Sequence, residues 1–282
     1  METVTLNNGI KIPTLGFGTW CIDESKAAEA VRNAIELGYR HIDTAQAYEN
    51  EQGVGEGIRT CGMPREALFV CSKVAAEHKS YDAAVNSINE TLAKMRLDYL
   101  DMMIIHAPQP WAEWRSDKRY FEENRAVWRA LEDAYAAGKL RAIGVSNFLC
   151  DDLESLLPHC RIQPAVNQVL AHIGNMPTQL IAFCKDRGIA IEAYSPIAHG
   201  EALKNDAITQ SAEKYGVSPA QLCIKYILQL GLVALPKAFT REHIKENAEL
   251  DFVISETDMD VLHKVNFKNY GAYSYFPVFS GK

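Results

Sequence analysis

The chain has 282 residues, 48% of them hydrophobic, and 29 Lys and Arg against 36 Asp and Glu, a formal net charge of -7. Such a length can bury one large core, and the acidic balance argues against an extended nucleic-acid footprint while allowing a local basic pocket for a small anion. The start, METVTLNNGIKIP, lacks the basic and apolar regions of a secretory signal, and no run approaches the about 18 apolar residues of a membrane span, so a cytoplasmic location without membrane contact is expected. Seven cysteines, odd in number and without a CxxC pair, fit reduced thiols, most of them small core residues, better than a disulfide framework or a zinc site.

The first element in the chain is a hairpin, with NNG between the short alternating runs of TVTLNNGIKIP. After it, β-rich runs alternate with amphipathic helical stretches. LGFGTW precedes SKAAEAVRNAIELG, YRHIDTA precedes NEQGVGEGIRTCG, and ALFVCSKV precedes SYDAAVNSINETLAKMRL. DYLDMMIIHAP, KLRAIGVSNF, QPAVNQV, IAIEAYSPI and LVALPKA follow, each with its own helical segment; the one after IAIEAYSPI runs from about Glu201 to Leu230. Eight such units, with right-handed crossovers, give parallel strands that can close as a (β/α)8 TIM barrel of a single domain, residues 1–282, plugged at the bottom by the N-terminal β-hairpin. An open doubly wound sheet is the alternative. GFGTW lacks the later glycine of a GxGxxG turn, which counts against a Rossmann unit.

Chemistry in such a barrel sits at the C-terminal strand ends. The polar residues there are Asp43, Tyr48, Lys73, His106, Ser146, Asn147, Gln168, Tyr194, Ser195 and Lys237. Alone, each is more simply a solvated cap or a satisfied hydrogen-bond partner. Together, Asp43, Lys73 and His106 end runs that are otherwise apolar, and closure aims all three at one opening. A neighbouring ammonium favours a phenolate, so Lys73 is expected to ease proton donation by Tyr48, with Asp43 holding the lysine charged in a partly buried mouth. A neutral His106 could donate to the same carbonyl oxygen. These four groups polarise and protonate a C=O but deliver no hydride, which calls for a nicotinamide cofactor.

With those residues assembled, the chain resembles the aldo-keto reductase superfamily, in particular bacterial-type aldehyde and ketone reductases of the diketogluconate-reductase kind, from about residue 3 to 280. GYRHIDTAxxYxNE corresponds to Gly38–Glu51, GKLRAIGVSNF to Gly138–Phe148, and the SK and IH strand ends fall in order. The resemblance implies a monomeric barrel that binds NADPH without a Rossmann fold and interconverts aldehydes or ketones with alcohols. It implies catalytic Asp43, Tyr48, Lys73 and His106, with Tyr48 as proton donor. It places Tyr194 against the nicotinamide, Ser146, Asn147 and Gln168 on its carboxamide, and Ser195, Pro196 and Ile197 around the pyrophosphate. Thr19, Trp20 and Asp43 join the cofactor contacts. Glu246 and Asn247 would meet adenine, although they also read as a solvated helix face.

Two regions depart from the family pattern. In LPKAFTREHIKEN the usual hydroxyl and arginine of the 2'-phosphate clamp are replaced by Ala238 and His243, leaving Lys237, Phe239 and Thr240, with Arg241 in reach to compensate. Losing one charge-assisted contact, about 1.5–3 kcal/mol, cuts a preference for NADPH over NADH by about 10- to 150-fold, so NADPH is expected with NADH tolerated. On the substrate side, Ala75 and Ala107 stand where relatives carry bulky residues, Trp20 remains, and Trp111 and Trp114 offer a replacement wall or simply pack their loop. A roomier pocket is expected, with the aromatic end NYGAYSYFPVFSGK as rim or docked tail. A noncatalytic cofactor-binding sensor on the same fold is the competing function. A metal-dependent hydrolase would need clustered ligands, and only His106 sits at a strand end, with no HxH.

Overall fold

In the computed structural model, which describes residues 2–267 and 269–280, the hairpin forms as read. β1 (Thr3–Thr5) and β2 (Lys11–Pro13) pair antiparallel, with Thr3 opposite Pro13. Their apolar side chains Leu6 and Ile12 are buried against the inward-facing residues of the main sheet, so the hairpin seals its floor.

That sheet has eight parallel strands in chain order: β3 (Gly16–Gly18), β4 (His41–Asp43), β5 (Phe69–Val74), β6 (Leu100–Ile105), β7 (Leu140–Ser146), β8 (Val166–Leu170), β9 (Ala190–Tyr194) and β10 (Val233–Leu235). A parallel bridge between Leu15 and Ala234 joins the two ends, with Ala234 N–H donating to Thr14 at 2.8 Å and Gly18 N–H to Pro236 at 3.0 Å. The sheet is therefore a closed (β/α)8 barrel. Alternation along the strands splits the apolar residues into two layers. Phe69, Cys71, Met102, Ile104, Val166 and Leu235 fill the interior, while Val70, Met103, Ile105 and Val145 meet the helices outside.

The helices are α1 (Glu24–Glu36), α2 (Glu51–Thr60), α3 (Tyr81–Met95), α4 (Phe121–Ala136), α5 (Cys150–Leu156), α6 (Thr178–Lys185), α7 (Asp206–Tyr215), α8 (Pro219–Gln229), α9 (Arg241–Glu246) and α10 (Glu256–His263). Ser80 caps α3, and Ser218 with Gln221 forms a capping box on α8, with Pro219 supplying the fixed φ of a first helical residue. The stretch read as one helical region from Glu201 to Leu230 is one short turn, Ala202–Lys204, followed by α7 and α8, because Gly216 in a left-handed conformation ends α7. In α2, a Cβ on Gly55 would lie 2.3 Å from the Met95 carbonyl oxygen, so glycine is what lets α2 approach the end of α3.

Three cysteines, Cys71, Cys184 and Cys223, are buried; Cys61, Cys150 and Cys160 are half-buried and Cys21 is exposed, so fewer are core residues than expected. No helix among the described residues is long and apolar enough to cross a membrane.

Candidate active site

The C-terminal strand ends surround a cavity of about 630 Å³, a size suited to a small-molecule ligand. Its floor holds Asp43, Tyr48 and His106, one wall Ser146, Asn147, Gln168 and Tyr194, and its far end Lys237, His243, Glu246 and Asn247.

Strand register brings the floor together. Asp43 ends β4 opposite Cys71, Lys73 lies on β5 opposite Ile104, and His106 follows β6. Lys73 Nζ donates to both carboxylate oxygens of Asp43, at 2.8 and 2.7 Å, and to the Thr44 carbonyl at 2.8 Å. It is 1% exposed and sits behind the floor rather than on it. Burial pushes the ammonium down, but the charge and hydrogen bond of Asp43, together with Tyr48 and Cys71, hold the lysine above its ordinary value.

Tyr48 is carried by a short 3-10 turn, Gln46–Tyr48. Gln46 pins that turn, donating to the Ser87 carbonyl at 2.8 Å and accepting from Ala75 N–H at 3.1 Å. The rest of the motif braces it. Thr44 donates to Asn50 at 2.8 Å, Asn50 reaches the Thr19 and Ile22 carbonyls at 2.9 and 3.0 Å, and Glu51 accepts from Ser72 at 2.6 Å. Lys73 Nζ lies 4.8 Å from the Tyr48 ring centre, and the His106 ring meets it edge-on at 5.7 Å.

The expected pull of Lys73 on Tyr48 is present, but it does not set the net shift. Burial pushes the phenol up to about 12, and the Lys73 ammonium pulls it down without winning. The cation therefore limits a rise that desolvation dominates. Burial, then the charges of Lys73 and Lys79, hold His106 well below the usual histidine range, so the imidazole is neutral.

The polar wall is internally engaged. Ser146 donates to the Gln168 carbonyl at 2.8 Å, and Asn147 Nδ2 donates to the His106 carbonyl and to Ser146 Oγ, both at 3.0 Å. Asn147 Oδ1 accepts from the Tyr194 hydroxyl at 2.7 Å. Gln168 Nε2 donates to Asp43 Oδ1 at 2.9 Å and to Glu192 Oε2 at 3.0 Å. The capacity left for a ligand is mainly lone pairs, so the wall suits a group that brings N–H donors.

Ser195, with positive φ, Pro196, Ile197, Ala238 and Phe239 line the cavity beyond Tyr194. Lys237 forms no ion pair among the described residues; its Nζ lies 3.4 Å from the Phe239 ring centre, and burial lowers it to about 8. An unpaired cation here fits an anionic group.

Several expected positions do not face the cavity. Thr19 is fully buried and donates to the Asp43 carbonyl at 3.0 Å, bracing the floor from behind. Thr240 caps α9, accepting from His243 N–H at 3.3 Å. Arg241 turns away to Glu36 at 2.8 Å and Asn33 at 2.6 Å, so it offers Lys237 no help. Ala75 and Ala107 are not among the residues that line the cavity. Trp111 does line the cavity, edge-on to His106 at 5.2 Å and 5.1 Å from Phe276, with Trp114 behind it at 5.4 Å.

The aromatic end lines the cavity as the rim reading expected, and the structure adds His199 and the start of α8, which motif reading missed. His199 stacks on Tyr273 at 4.2 Å and, with Phe276 and Phe279, meets Trp20, so the aromatic C-terminal segment is a wall of the cavity. Ser218, Pro219 and Ala220, at the start of α8, also line it. Inside the barrel, His41 and Glu192 are fully buried; an acid within the apolar run IAIEAY was the available signal. No group of three or more His, Cys, Asp or Glu able to hold a metal occurs among the described residues.

The sequence model of the Aldo/keto reductase family matches residues 14–266. A glyoxal reductase of Bacillus subtilis (strain 168) is 42% identical over 267 residues, covering 94% of this chain and 93% of the relative. A glycerol 2-dehydrogenase (NADP(+)) of Saccharomyces cerevisiae (strain ATCC 204508 / S288c) is 35% identical over 292 residues, covering 94% and 91%. The crystal structure of an aldo/keto reductase from Brucella melitensis superposes with a TM-score of 0.87 at 35% identity, covering 93% of this chain and 98% of that one.

Proposed function

Because the chain belongs to the aldo/keto reductase family and is an oxidoreductase of carbonyl compounds and alcohols, we propose that it reduces aldehydes or ketones with NADPH, and that Tyr48 gives the proton. The observation that carries this reading is the Lys73–Asp43 pair behind Tyr48 and beside a neutral His106, on the floor of a cavity whose far end holds the unpaired Lys237.

The dinucleotide, when bound, supplies the hydride that none of these side chains can. Ser146, Asn147, Gln168 and Tyr194 would hold its head group, Ser195, Pro196 and Ile197 its pyrophosphate, and Glu246 and Asn247 its adenine. Lys237, with Ala238, Phe239 and His243, would take the 2'-phosphate. With Arg241 held by Glu36, that clamp has one lysine and one histidine, and we read NADH as tolerated beside NADPH.

Tyr48 keeps its proton throughout an ordinary assay range because burial raises it. A carbonyl oxygen placed between Tyr48 Oη and the N–H of neutral His106 receives two donors, which polarise it. As that oxygen takes on negative charge it draws the tyrosyl proton. The phenolate left behind is stabilised by the fixed ammonium of Lys73, whose charge Asp43 maintains. Trp20, Trp111 and Phe276 exclude water and favour carbonyls that carry an apolar body.

The test follows oxidation of reduced nicotinamide over a carbonyl panel, with wild type and Tyr48→Phe. Loss of about 10²-fold or more in kcat/KM with dinucleotide affinity retained is expected. A variant within a few-fold of wild type would overturn the role of Tyr48. Tight dinucleotide binding without turnover of any carbonyl would make the protein a binder instead.

A further inference from the structure

Glu192 is a carboxyl group in the middle of the barrel, 0% exposed, on β9 at the register of Gln168 on β8. Nothing in the reaction above uses it. Burying an acid without full satisfaction is costly, and such a group calls for a reason. The titratable groups facing it are His41 and Asp43 from β4 and Lys73 and Cys71 from β5. His41 Nε2 lies 3.4 Å from Glu192 Oε1, but that pair lacks hydrogen-bond geometry. A Cβ on Gly16 would lie 2.7 Å from His41 Nδ1, so glycine there is what leaves room for the imidazole. Among the described residues, the side chain of Glu192 makes one hydrogen bond, in which Oε2 accepts from Gln168 Nε2 at 3.0 Å.

We propose that Glu192 is a positioning residue that aims the side-chain carbonyl of Gln168 into the cavity, and thereby selects a dinucleotide head group bearing N–H donors. The atom of Gln168 that lies 2.9 Å from an Asp43 oxygen and 3.0 Å from a Glu192 oxygen has to be the amide nitrogen, since the Asp43 carboxylate paired with Lys73 can only accept. Two fixed points set the plane of the amide as well as its place. Oε1 is then left to the ligand. With only the Asp43 anchor, the amide can swing about that one contact and its oxygen loses its aim. Burial, then the Asp43 charge, raise the Glu192 carboxyl to about 8, so it stays protonated at neutral pH and adds no second charge beside Asp43. A glutamine would keep the accepting oxygen, while an aspartate would withdraw it.

The proposal rests on the reading that Gln168 meets the carboxamide of the cofactor. It is tested by dissociation constants, not turnover, from quenching of tryptophan fluorescence, since Trp20 and Trp111 line the cavity. The probes are oxidised NADP and its 3-acetylpyridine analogue, which replaces the carboxamide NH2 with a methyl group. Wild type should bind NADP about 3- to 10-fold more tightly than the analogue, the worth of one hydrogen bond. E192L should bring that ratio close to unity by weakening NADP alone, and E192Q should keep it. E192D, its carboxyl drawn back from Gln168, serves in place of E192L if that variant does not fold.

Equal binding of both dinucleotides by wild type would sink the reading of Gln168 itself. Discrimination by wild type that persists in E192L or E192D would overturn the role of Glu192, and so would its loss in E192Q. A merely structural residue would lower the melting temperature of the variants without moving the ratio.

Discussion

Removing one partner of the buried ion pair should separate its structural weight from its chemical one. In Lys73→Met, the Asp43 carboxylate, 4% exposed, loses the cation that bonds both its oxygens and keeps Gln168 Nε2 at 2.9 Å. The Thr44 carbonyl loses its donor as well. An uncompensated buried charge of this kind costs about 3–5 kcal/mol, which for a chain of this size lowers the melting temperature by roughly 6–20 °C. Asp43→Asn added to Lys73→Met removes the charge and should bring stability back to within about 1–2 kcal/mol of wild type. Turnover should fall by about 10²- to 10⁴-fold in both variants, because neither has a cation behind Tyr48. Urea unfolding followed by tryptophan fluorescence measures the first quantity and carbonyl reduction the second. A single variant that loses less than about 1 kcal/mol, or a double variant no more stable than the single, would refute the argument that Lys73 balances a buried charge.

His243→Arg should raise the kcat/KM ratio of NADPH over NADH by about 10-fold or more, read directly with both cofactors; an unchanged ratio would show that Lys237 alone sets the preference. Native Glu192 holds its proton more tightly than the unfolded chain does. Its stabilising contribution is therefore full below about 4.5 and is lost as pH rises through about 8. The difference in stability between wild type and Glu192→Gln should accordingly decline across that window, by at most about 1.4 kcal/mol per pH unit in thermal melts, and a flat difference would contradict it. Gly55→Ala places a methyl 2.3 Å from the Met95 carbonyl oxygen, so it should destabilise by about 1–3 kcal/mol despite the better helix propensity of alanine, as a melting curve would show.

Alternation along the chain pointed to the barrel, with an open doubly wound sheet as the alternative that the bridge between Leu15 and Ala234 removes. Apolar runs of strand length between amphipathic helices leave parallel closure as the economical way to bury both faces, and the residues ending those runs, Asp43, Lys73 and His106, then have to share one mouth. Period and order are local properties, legible without coordinates. The sign of the Tyr48 shift was not legible, because burial is a property of the closed cavity and it outweighs a single neighbouring charge. The same holds beyond the strand ends. Whether Ala75 and Ala107 face the ligand, whether Arg241 reaches Lys237 or Glu36, and whether Phe276 and Phe279 line the site depend on how loops and tail fold back. Glu192 is the sharpest case: one acidic letter in an apolar strand, whose contact with Gln168 exists only because β8 and β9 pair in a particular register.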